Sequence, residues 1–289
     1  MTKRSTEIGF RILRNQNLAP SVQLLEVNAP LIAHKVKAGQ FVILRLFEKS
    51  ERIPLTVADW NRDQGSITLI FQEVGKSTVE LGRLQTGDFV QDLVGPLGRA
   101  SEIALHGTVI CIGGGIGIAP VYPIARAFRE AGNRTLSILG SRRKDLLILE
   151  EEMRAISEKL WVTTDDGSYG RHGLVTDELR DLIRDGVEIN LVLAIGPPVM
   201  MQAVCKLTET YGIKTTVSLD SIMVDGTGMC GACRVTVGGK TRFVCVHGPE
   251  FDGHQVDFDE YILRKKMYLA QERKSMEECG RCREEGSGG

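Results

Sequence analysis

Three thiols and a carboxylate lie along one stretch of the chain, Asp225-Gly-Thr-Gly-Met-Cys230-Gly-Ala-Cys233, with Cys245 some way beyond it. Thiolates at this spacing suit iron and inorganic sulfide. The plant-type ferredoxin pattern is C-x4-C-x2-C with a distant fourth Cys, and Cys230 and Cys233 take its second and third places. Asp225 stands at the first, so an oxygen donor replaces one sulfur. Gly226, Gly228 and Gly231 free the backbone to wrap a compact inorganic core and aim amides at it. Val235-Thr-Val237 and Thr241-Arg-Phe-Val244 flank Gly238-Gly239, a two-residue hairpin signal. If Val237 faces Lys240, Cys233 faces Val244 and Cys245 arrives beside the loop as fourth ligand. The same three thiols with His247 would also make a Cys3His zinc site, although the second Cys pair of a zinc ribbon is missing.

Other residues offer phosphate and ring chemistry. Arg52-Ile-Pro-Leu-Thr56 sets a cation, a rigid proline and a hydroxyl together, a combination that suits a flat phosphorylated cofactor: Arg52 on pyrophosphate, the backbone of Leu55 and Thr56 on the ring system. In Val74-Gly-Lys-Ser-Thr78, glycine and hydroxyl residues open a helix whose amides could meet phosphate. Each alone reads equally as a surface turn with a helix cap, and their order is what gives them weight. Further on, Gly113-Gly-Gly-Ile-Gly117 forms a glycine turn, but Pro120 holds the place of the last glycine of G-x-G-x-x-G.

The elements that must position these residues change character along the chain. From Glu7 to Leu93, short β-rich runs such as Val22–Val27, Gln40–Leu46 and Ser66–Phe71 alternate with turns, with one short helix over Lys76–Leu84, and a small antiparallel barrel is the natural closure. From about 101 to 222, apolar strands alternate with helices near 145–158, 174–184 and 198–211, the pattern of a doubly wound parallel sheet. Ligands in such sheets bind at the carboxyl ends of the strands. Those ends carry Gly113 to Pro120, Gly140-Ser-Arg-Arg143, Thr164-Asp-Asp-Gly-Ser168 and Gly196-Pro-Pro198. Ser141, Arg142 and Arg143 could receive a 2′-phosphate, whereas Asp165 and Asp166 favour a free ribose diol. Cys111 and Cys205 sit in apolar elements and read as packing residues. The domain reading is 1–100 barrel, 101–222 nucleotide domain, 223–250 cluster region and 251–289 C-terminal helix and tail.

Composition narrows the function classes. A chain of 289 residues at 42% hydrophobic and 25% charged has material for two folded domains and is neither disordered nor fibrous. A net charge of −1 gives no electrostatic case for nucleic acid as a partner. No apolar run approaches a membrane span, and the first residues lack the apolar core of a signal peptide. Seven cysteines, an odd number mostly at metal-ligand spacing, fit a reducing compartment, and a cytoplasmic location is expected. Residues 258–278 read as a helix with Tyr261, Ile262, Leu263, Met267, Tyr268 and Leu269 on a broad apolar face, which folds onto its own domain or clasps a partner. The Cys279-Gly-Arg-Cys282 pair near the end reads either as a redox-active or metal-sharing pair at a subunit contact or as exposed thiols, and the sequence does not decide between them.

The sequence of R-x-P-L-T, G-K-S-T, Gly95-Pro-Leu-Gly98 and Gly-Gly-Gly-Ile-Gly-Ile-Ala-Pro resembles the ferredoxin-NADP reductase superfamily over residues 5 to about 270. With a ferredoxin-like loop appended, it is similar to the electron-transfer subunits within it, those of dihydroorotate dehydrogenase and of NADH-dependent reduced ferredoxin:NADP oxidoreductase. Asp225 together with Glu51-Arg-Ile-Pro-Leu-Thr-Val-Ala-Asp59 tilts the resemblance to the second, electron-bifurcating group. Arg52 stands one residue earlier than in the usual reductase motif. The resemblance implies FAD held by Arg52, Pro54, Leu55, Thr56, Ile70, Phe71, Gln72, Gly75, Ser77 and Thr78 between barrel and sheet. It implies NAD(H), with NADP(H) possible, over Gly113, Gly114, Gly115, Ile116 and Gly117 and along Gly196 and Pro197. It further implies a 2Fe-2S cluster on Asp225, Cys230, Cys233 and Cys245, a larger flavin and iron-sulfur catalytic subunit as partner, and ferredoxin reached indirectly. A sulfide dehydrogenase or sulfur reductase would use a similar subunit, and a zinc-binding scaffold is the non-enzyme alternative.

Overall fold

The computed structural model describes residues 9–286, with side chains as far as 277. The first sheet contains β1 (Phe10–Ala19), β2 (Val22–Asn28), β3 (Phe41–Arg45), β4 (Arg52–Asn61), β5 (Ser66–Gln72), β6 (Phe89–Val90) and β7 (Asp92–Leu97). Short helices α1 (Pro30–Ala33) and α2 (Lys76–Gly82) bridge some of them. All pairings are antiparallel, in the order β6-β1-β2-β5-β4-β3-β7. The two edge strands are consecutive in the chain with only Gln91 between them, so the sheet curls into a nearly closed barrel. Alternation along each strand sends Leu25, Val27, Val42, Leu44, Val57, Ile67 and Leu69 into one apolar interior.

β8 (Thr108–Gly114) opens the second sheet, followed by α3 (Ile118–Glu130), β9 (Arg134–Ser141), α4 (Glu150–Ile156), β10 (Lys159–Thr164), β11 (Arg171–His172), α5 (Val175–Arg184), β12 (Leu191–Ile195), α6 (Pro198–Thr210) and β13 (Thr215–Ser218). β8 is buried along its whole length, and the chain places β9 and β10 on one side of it and β12 and β13 on the other. The strand order therefore reverses at β8. In open α/β sheets that reversal makes the crevice in which ligands bind.

The remaining elements are β14 (Arg234–Val237), β15 (Lys240–Phe243), α7 (Val244–His247), β16 (Glu250–Asp252), α8 (Phe258–Lys265) and α9 (Leu269–Gly286). The hairpin pairs Val237 with Lys240 and Arg234 with Phe243, the register that its Gly238-Gly239 turn predicts. Val244 does not extend the strand as expected. Its N–H donates to the carbonyl of Cys233 at 3.1 Å and the chain then turns into α7, which carries Cys245 back over the loop. β16 runs antiparallel to β13, with Ser218 opposite Glu250, so the cluster segment leaves and re-enters the nucleotide sheet at neighbouring points.

The C-terminal helix expected over 258–278 is two helices, broken at Lys266–Tyr268. Tyr261 anchors the first: its hydroxyl donates to Asp220 Oδ1 at 2.5 Å and accepts from the Asp220 N–H at 3.0 Å. The second then turns away to lie against α2 of the barrel. The side chains of Cys279 and Cys282 lie outside the described residues. Cys111 and Cys205 are buried, as packing residues should be. Among the described residues, no helix is long and apolar enough to cross a membrane.

Candidate functional site: a cleft between barrel and sheet, and a cysteine loop beside it

Strand β4 alternates two roles. Ile53 and Leu55 pack on the barrel interior, which leaves Arg52, Pro54 and Thr56 on its outer face. Leu55 therefore offers only backbone to a ligand on that face. β5 behaves the same way: Phe71 belongs to the barrel core, whereas Ile70 packs with residues of the nucleotide domain and Gln72 is exposed. Gly75 caps α2. Thr78 serves the cap, its hydroxyl accepting from the N–H groups of Val74 and Gly75 at 3.1 Å and donating to the Gly75 carbonyl at 2.9 Å. Ser77 is buried and donates to Glu51 Oε2 at 2.7 Å, a partner that sequence reasoning missed.

Across from β5 lies the turn that follows β8, with Gly115–Gly117 brought up against the barrel strand. Neighbouring main chain and side chains close in on these glycines. A Cβ on Gly117 would sit 2.3 Å from the Ile195 carbonyl oxygen, and one on Gly114 would sit 2.4 Å from Met200 Sδ and 3.2 Å from Pro197 Cδ. Gly196 touches Gly114 from the other side of the switch point. At Gly115, by contrast, φ is +54° and nothing lies within 4 Å of an added Cβ. The floor is tight and its mouth is open, as a dinucleotide requires where its pyrophosphate approaches backbone amides. Ile116 is partly buried against the same packing.

The candidate ribose determinants also meet. The Asp165 N–H donates to the Ser141 carbonyl at 3.0 Å and the Asp166 N–H to the Arg142 carbonyl at 3.2 Å. They border an open depression of about 570 Å³ lined by Arg143, Lys144, Asp145, Leu147, Asp166 and Ser168. Hydrogen bonds from Ser168 hold Asp166 below the usual carboxylate range.

The cysteine loop rests on the barrel. Gly226, at φ +73°, approaches so closely that a Cβ would lie 2.8 Å from both Ile43 Cγ1 and Leu97 Cδ1. Ile43 is the ladder partner of Pro54, so one strand, about 5 Å of sheet, separates the cluster loop from the Arg52–Thr56 segment. Asp225 accepts from the Thr227 and Cys230 N–H groups, each at 3.0 Å, and these bonds hold its carboxyl below the usual carboxylate range. Cys233 and Cys245 are buried with their sulfurs 3.2 Å apart, and Cys230 is exposed. Burial, then the neighbouring Cys233 thiol, push Cys245 up to about 12; a bound cation is what would reverse that. Among the described residues, no three His, Cys, Asp or Glu side chains converge as a metal site: the four candidate ligands stand as two pairs, Asp225 with Cys230 and Cys233 with Cys245. The donor set, three thiols and an ionised carboxylate on a glycine loop, fits a 2Fe-2S cluster. His247 fits zinc poorly, because its Nδ1 accepts from the Phe243 N–H at 2.9 Å and its ring stacks on Phe243.

The comparisons with known proteins agree with this geometry. The family model for the iron-sulfur cluster binding domain of dihydroorotate dehydrogenase B matches residues 220–257, and that for the oxidoreductase NAD-binding domain matches residues 111–206. The chain is 47% identical over 266 residues to a dihydroorotate dehydrogenase B (NAD(+)) electron transfer subunit homolog of Thermotoga maritima, covering 92% of this chain and 94% of that one. It is 32% identical over 255 residues to the dihydroorotate dehydrogenase B (NAD(+)) electron transfer subunit of Geobacillus thermodenitrificans, covering 85% and 96%. A chain from the structure of NADH-dependent reduced ferredoxin-NADP oxidoreductase, solved for insight into flavin-based electron bifurcation, superposes with a TM-score of 0.89 at 45% identity, over 95% of this chain and 98% of that one.

Proposed function

This chain belongs to the family of dihydroorotate dehydrogenase B electron-transfer subunits and their homologues, and we propose that it is the NAD(H)-exchanging subunit of a flavin-based electron-bifurcating ferredoxin:NADP oxidoreductase. The observation that carries this reading is the stacking order around β4: the glycine turn meets the barrel at β5, and the cluster loop rests on Ile43, one strand from Pro54. Three redox sites placed in that order form a path. Bound FAD exchanges electron pairs with a nicotinamide and single electrons with an iron-sulfur centre, so the chain supplies geometry and the cofactors supply redox chemistry.

Arg52 puts a fixed positive charge on the outer face of β4, where it balances a pyrophosphate, with the amides at Gly75 as a second anchor. Pro54 holds the strand straight, and the backbone at Leu55 and the hydroxyl of Thr56 meet the ring edge. Ile70 and Gln72 line the same face, and Ser77, locked by Glu51, fixes the turn above it. Gly113, Gly114 and Gly117 let the nucleotide lie against backbone, with Gly196 and Pro197 as the opposite wall. Asp165 and Asp166, both acidic beside Ser141 and Arg142, favour the ribose diol of NAD(H) over a 2′-phosphate. Asp225, Cys230, Cys233 and Cys245 hold the cluster, with positive φ at Gly228 and Gly231 giving the hinge that lets Cys230 join the buried pair. The exposed Met229 and Cys230 leave that loop accessible to the larger catalytic subunit.

The test is an anaerobic visible spectrum of the purified full chain followed by titration with NADH and then NADPH. Flavin and iron-sulfur bands that bleach with NADH at far lower concentration than with NADPH support the reading. A colourless protein with one zinc per chain, unable to take up FAD or rebuild a cluster, sinks it.

A further inference from the structure

The contact between the barrel and the nucleotide domain at α3 is built on an apolar cluster. Ala58 and Ile70 from the barrel pack with Ile118 and Ala119 of α3 in one cluster. Apolar contact is non-directional: it holds two surfaces together without fixing their relative angle to a fraction of an ångström. Hydrogen bonds cross near the linker, such as that from the Ser101 N–H to the Ala38 carbonyl at 2.9 Å, but at the cleft the directional contact is an ion pair. Arg126 of α3 donates from a terminal guanidinium nitrogen to Asp59 Oδ1 of β4 at 2.7 Å, and among the described residues this is the one ion pair that joins barrel to nucleotide domain.

The guanidinium also lies between two aromatic rings. Its central carbon lies 5.4 Å from the ring centroid of Trp60 on β4 and 5.2 Å from that of Tyr122, one turn earlier on α3. Asp59 is oriented in turn, because its Oδ1 also accepts from the Trp60 N–H at 2.9 Å. A carboxylate and an aromatic from one domain, with a cation and an aromatic from the other, fix both distance and angle.

The elements so joined are the two that carry the redox site. Asp59 follows Thr56 by three residues on the strand read as the flavin strand. α3 is the helix that begins where the glycine turn ends. We propose that Arg126 is a positioning residue for hydride transfer, setting the flavin strand and the nucleotide helix at the separation at which nicotinamide and flavin rings stack. The proposal rests on the reading of the cleft as a flavin and nicotinamide site. It concerns neither affinity nor the chemistry itself: Arg126 touches no reacting atom. Hydride transfer is steep in distance, and a misplacement of about 1 Å can cost about 100-fold in rate.

The experiment uses the full chain loaded with FAD and its cluster, as the unaltered protein, Arg126→Ala, Arg126→Lys and Asp59→Asn. Stopped-flow reduction by NADH gives the limiting rate of flavin reduction and the dissociation constant of NADH separately. The long-wavelength charge-transfer absorbance reports ring stacking without turnover. For Arg126→Ala we expect the limiting rate to fall about 10- to 100-fold, the charge-transfer band to weaken, and the dissociation constant to stay within about threefold. Arg126→Lys, which keeps the charge but not the flat stacked group, falls between, and Asp59→Asn follows it. An Arg126→Ala protein with the native limiting rate and band overturns the proposal. So does a rate loss that merely tracks lost FAD content or a lowered Tm in all three variants. Failure of the unaltered protein to bind FAD or to be reduced by NADH overturns the functional reading and this proposal with it, and is recognised because no substitution is needed to see it.

Discussion

The nucleotide edge and the cluster loop use glycine for opposite ends. At the edge of β8 the site is mainly backbone: Gly113 and Gly117 are small because other backbone already fills the space, and Gly114 because the side chains of Met200 and Pro197 close in on it. At the cluster loop the site is side chains, three thiols and a carboxylate, and glycine acts there mainly as a hinge, with Gly226 doubling as the close contact with Ile43 and Leu97. A site made of backbone is built when the sheet folds. A site made of side chains on a hinged loop is completed when a bound group gathers them, and the two separate pairs Asp225 with Cys230 and Cys233 with Cys245, proposed here as the cluster ligands, would be that second kind.

Gly117→Ala breaks the comparison most severely if it is wrong. The added carbon has to displace a carbonyl, so we expect a loss of about 3 kcal/mol or more in unfolding free energy and NADH binding weakened beyond measurement. Gly115→Ala, two residues away with open space but positive φ, should cost only about 1 kcal/mol. Denaturant melts of the two proteins decide it, and equal losses would mean the edge is not the rigid floor described here.

At the cluster loop, Asp225→Cys should keep the cluster and change its character, since a thiolate replaces a harder oxygen donor. We expect a shifted cluster potential and an altered electron paramagnetic resonance spectrum in a protein that folds normally. Identical spectrum and potential would remove Asp225 from the ligand set. That outcome would also blur the contrast, because the loop would then tolerate changes at its first position as an ordinary surface loop does.

The seam between the two regions gives an effect that appears only as pH rises. Glu250, partly buried where β16 meets the barrel at Gly39 and hydrogen-bonded by Ser101, is raised to about 7 by burial, an effect the Ser101 hydroxyl opposes. The folded protein thus holds this proton more tightly than the unfolded chain, and stability falls as pH rises from the ordinary carboxylate range towards 7, then levels. Glu250→Gln should flatten that slope and stabilise the protein at pH 8 by at most about 3 kcal/mol, with little change at pH 4. Thermal melts across that range measure it. An unchanged slope would mean that water reaches the carboxylate freely.

Side chains announce themselves in sequence, and backbone sites do not. The spacing of Cys230, Cys233 and Cys245 and the Gly238-Gly239 turn were enough to derive the hairpin register and the approach of Cys245 to Cys233. The order of strands and helices likewise led to a barrel followed by a parallel sheet. The misses have physical causes. β16 is three residues long and carries no period. Val244-Cys-Val246 has strand composition, yet the short helix wins because Cys245 has to fold back over the loop. Nothing in the sequence at 266–268 marks the break between α8 and α9, since it follows from Tyr261 being tied to Asp220. Arg126, Asp59 and Glu51 were missed as working residues because each acts on a partner far away in the chain. Only an odd charge on an otherwise apolar helix face hinted at Arg126.

β16 has one more effect. A sheet of parallel strands ends in open edges that invite pairing with another chain, and here the edges are β11, two residues long, and β16, three, with His172 and Asp252 exposed on them. Short charged edges resist strand addition. By returning from the cysteine loop to cap β13, the chain uses one excursion both to present Cys230, Cys233 and Cys245 and to cover an edge that would otherwise be open to strand addition.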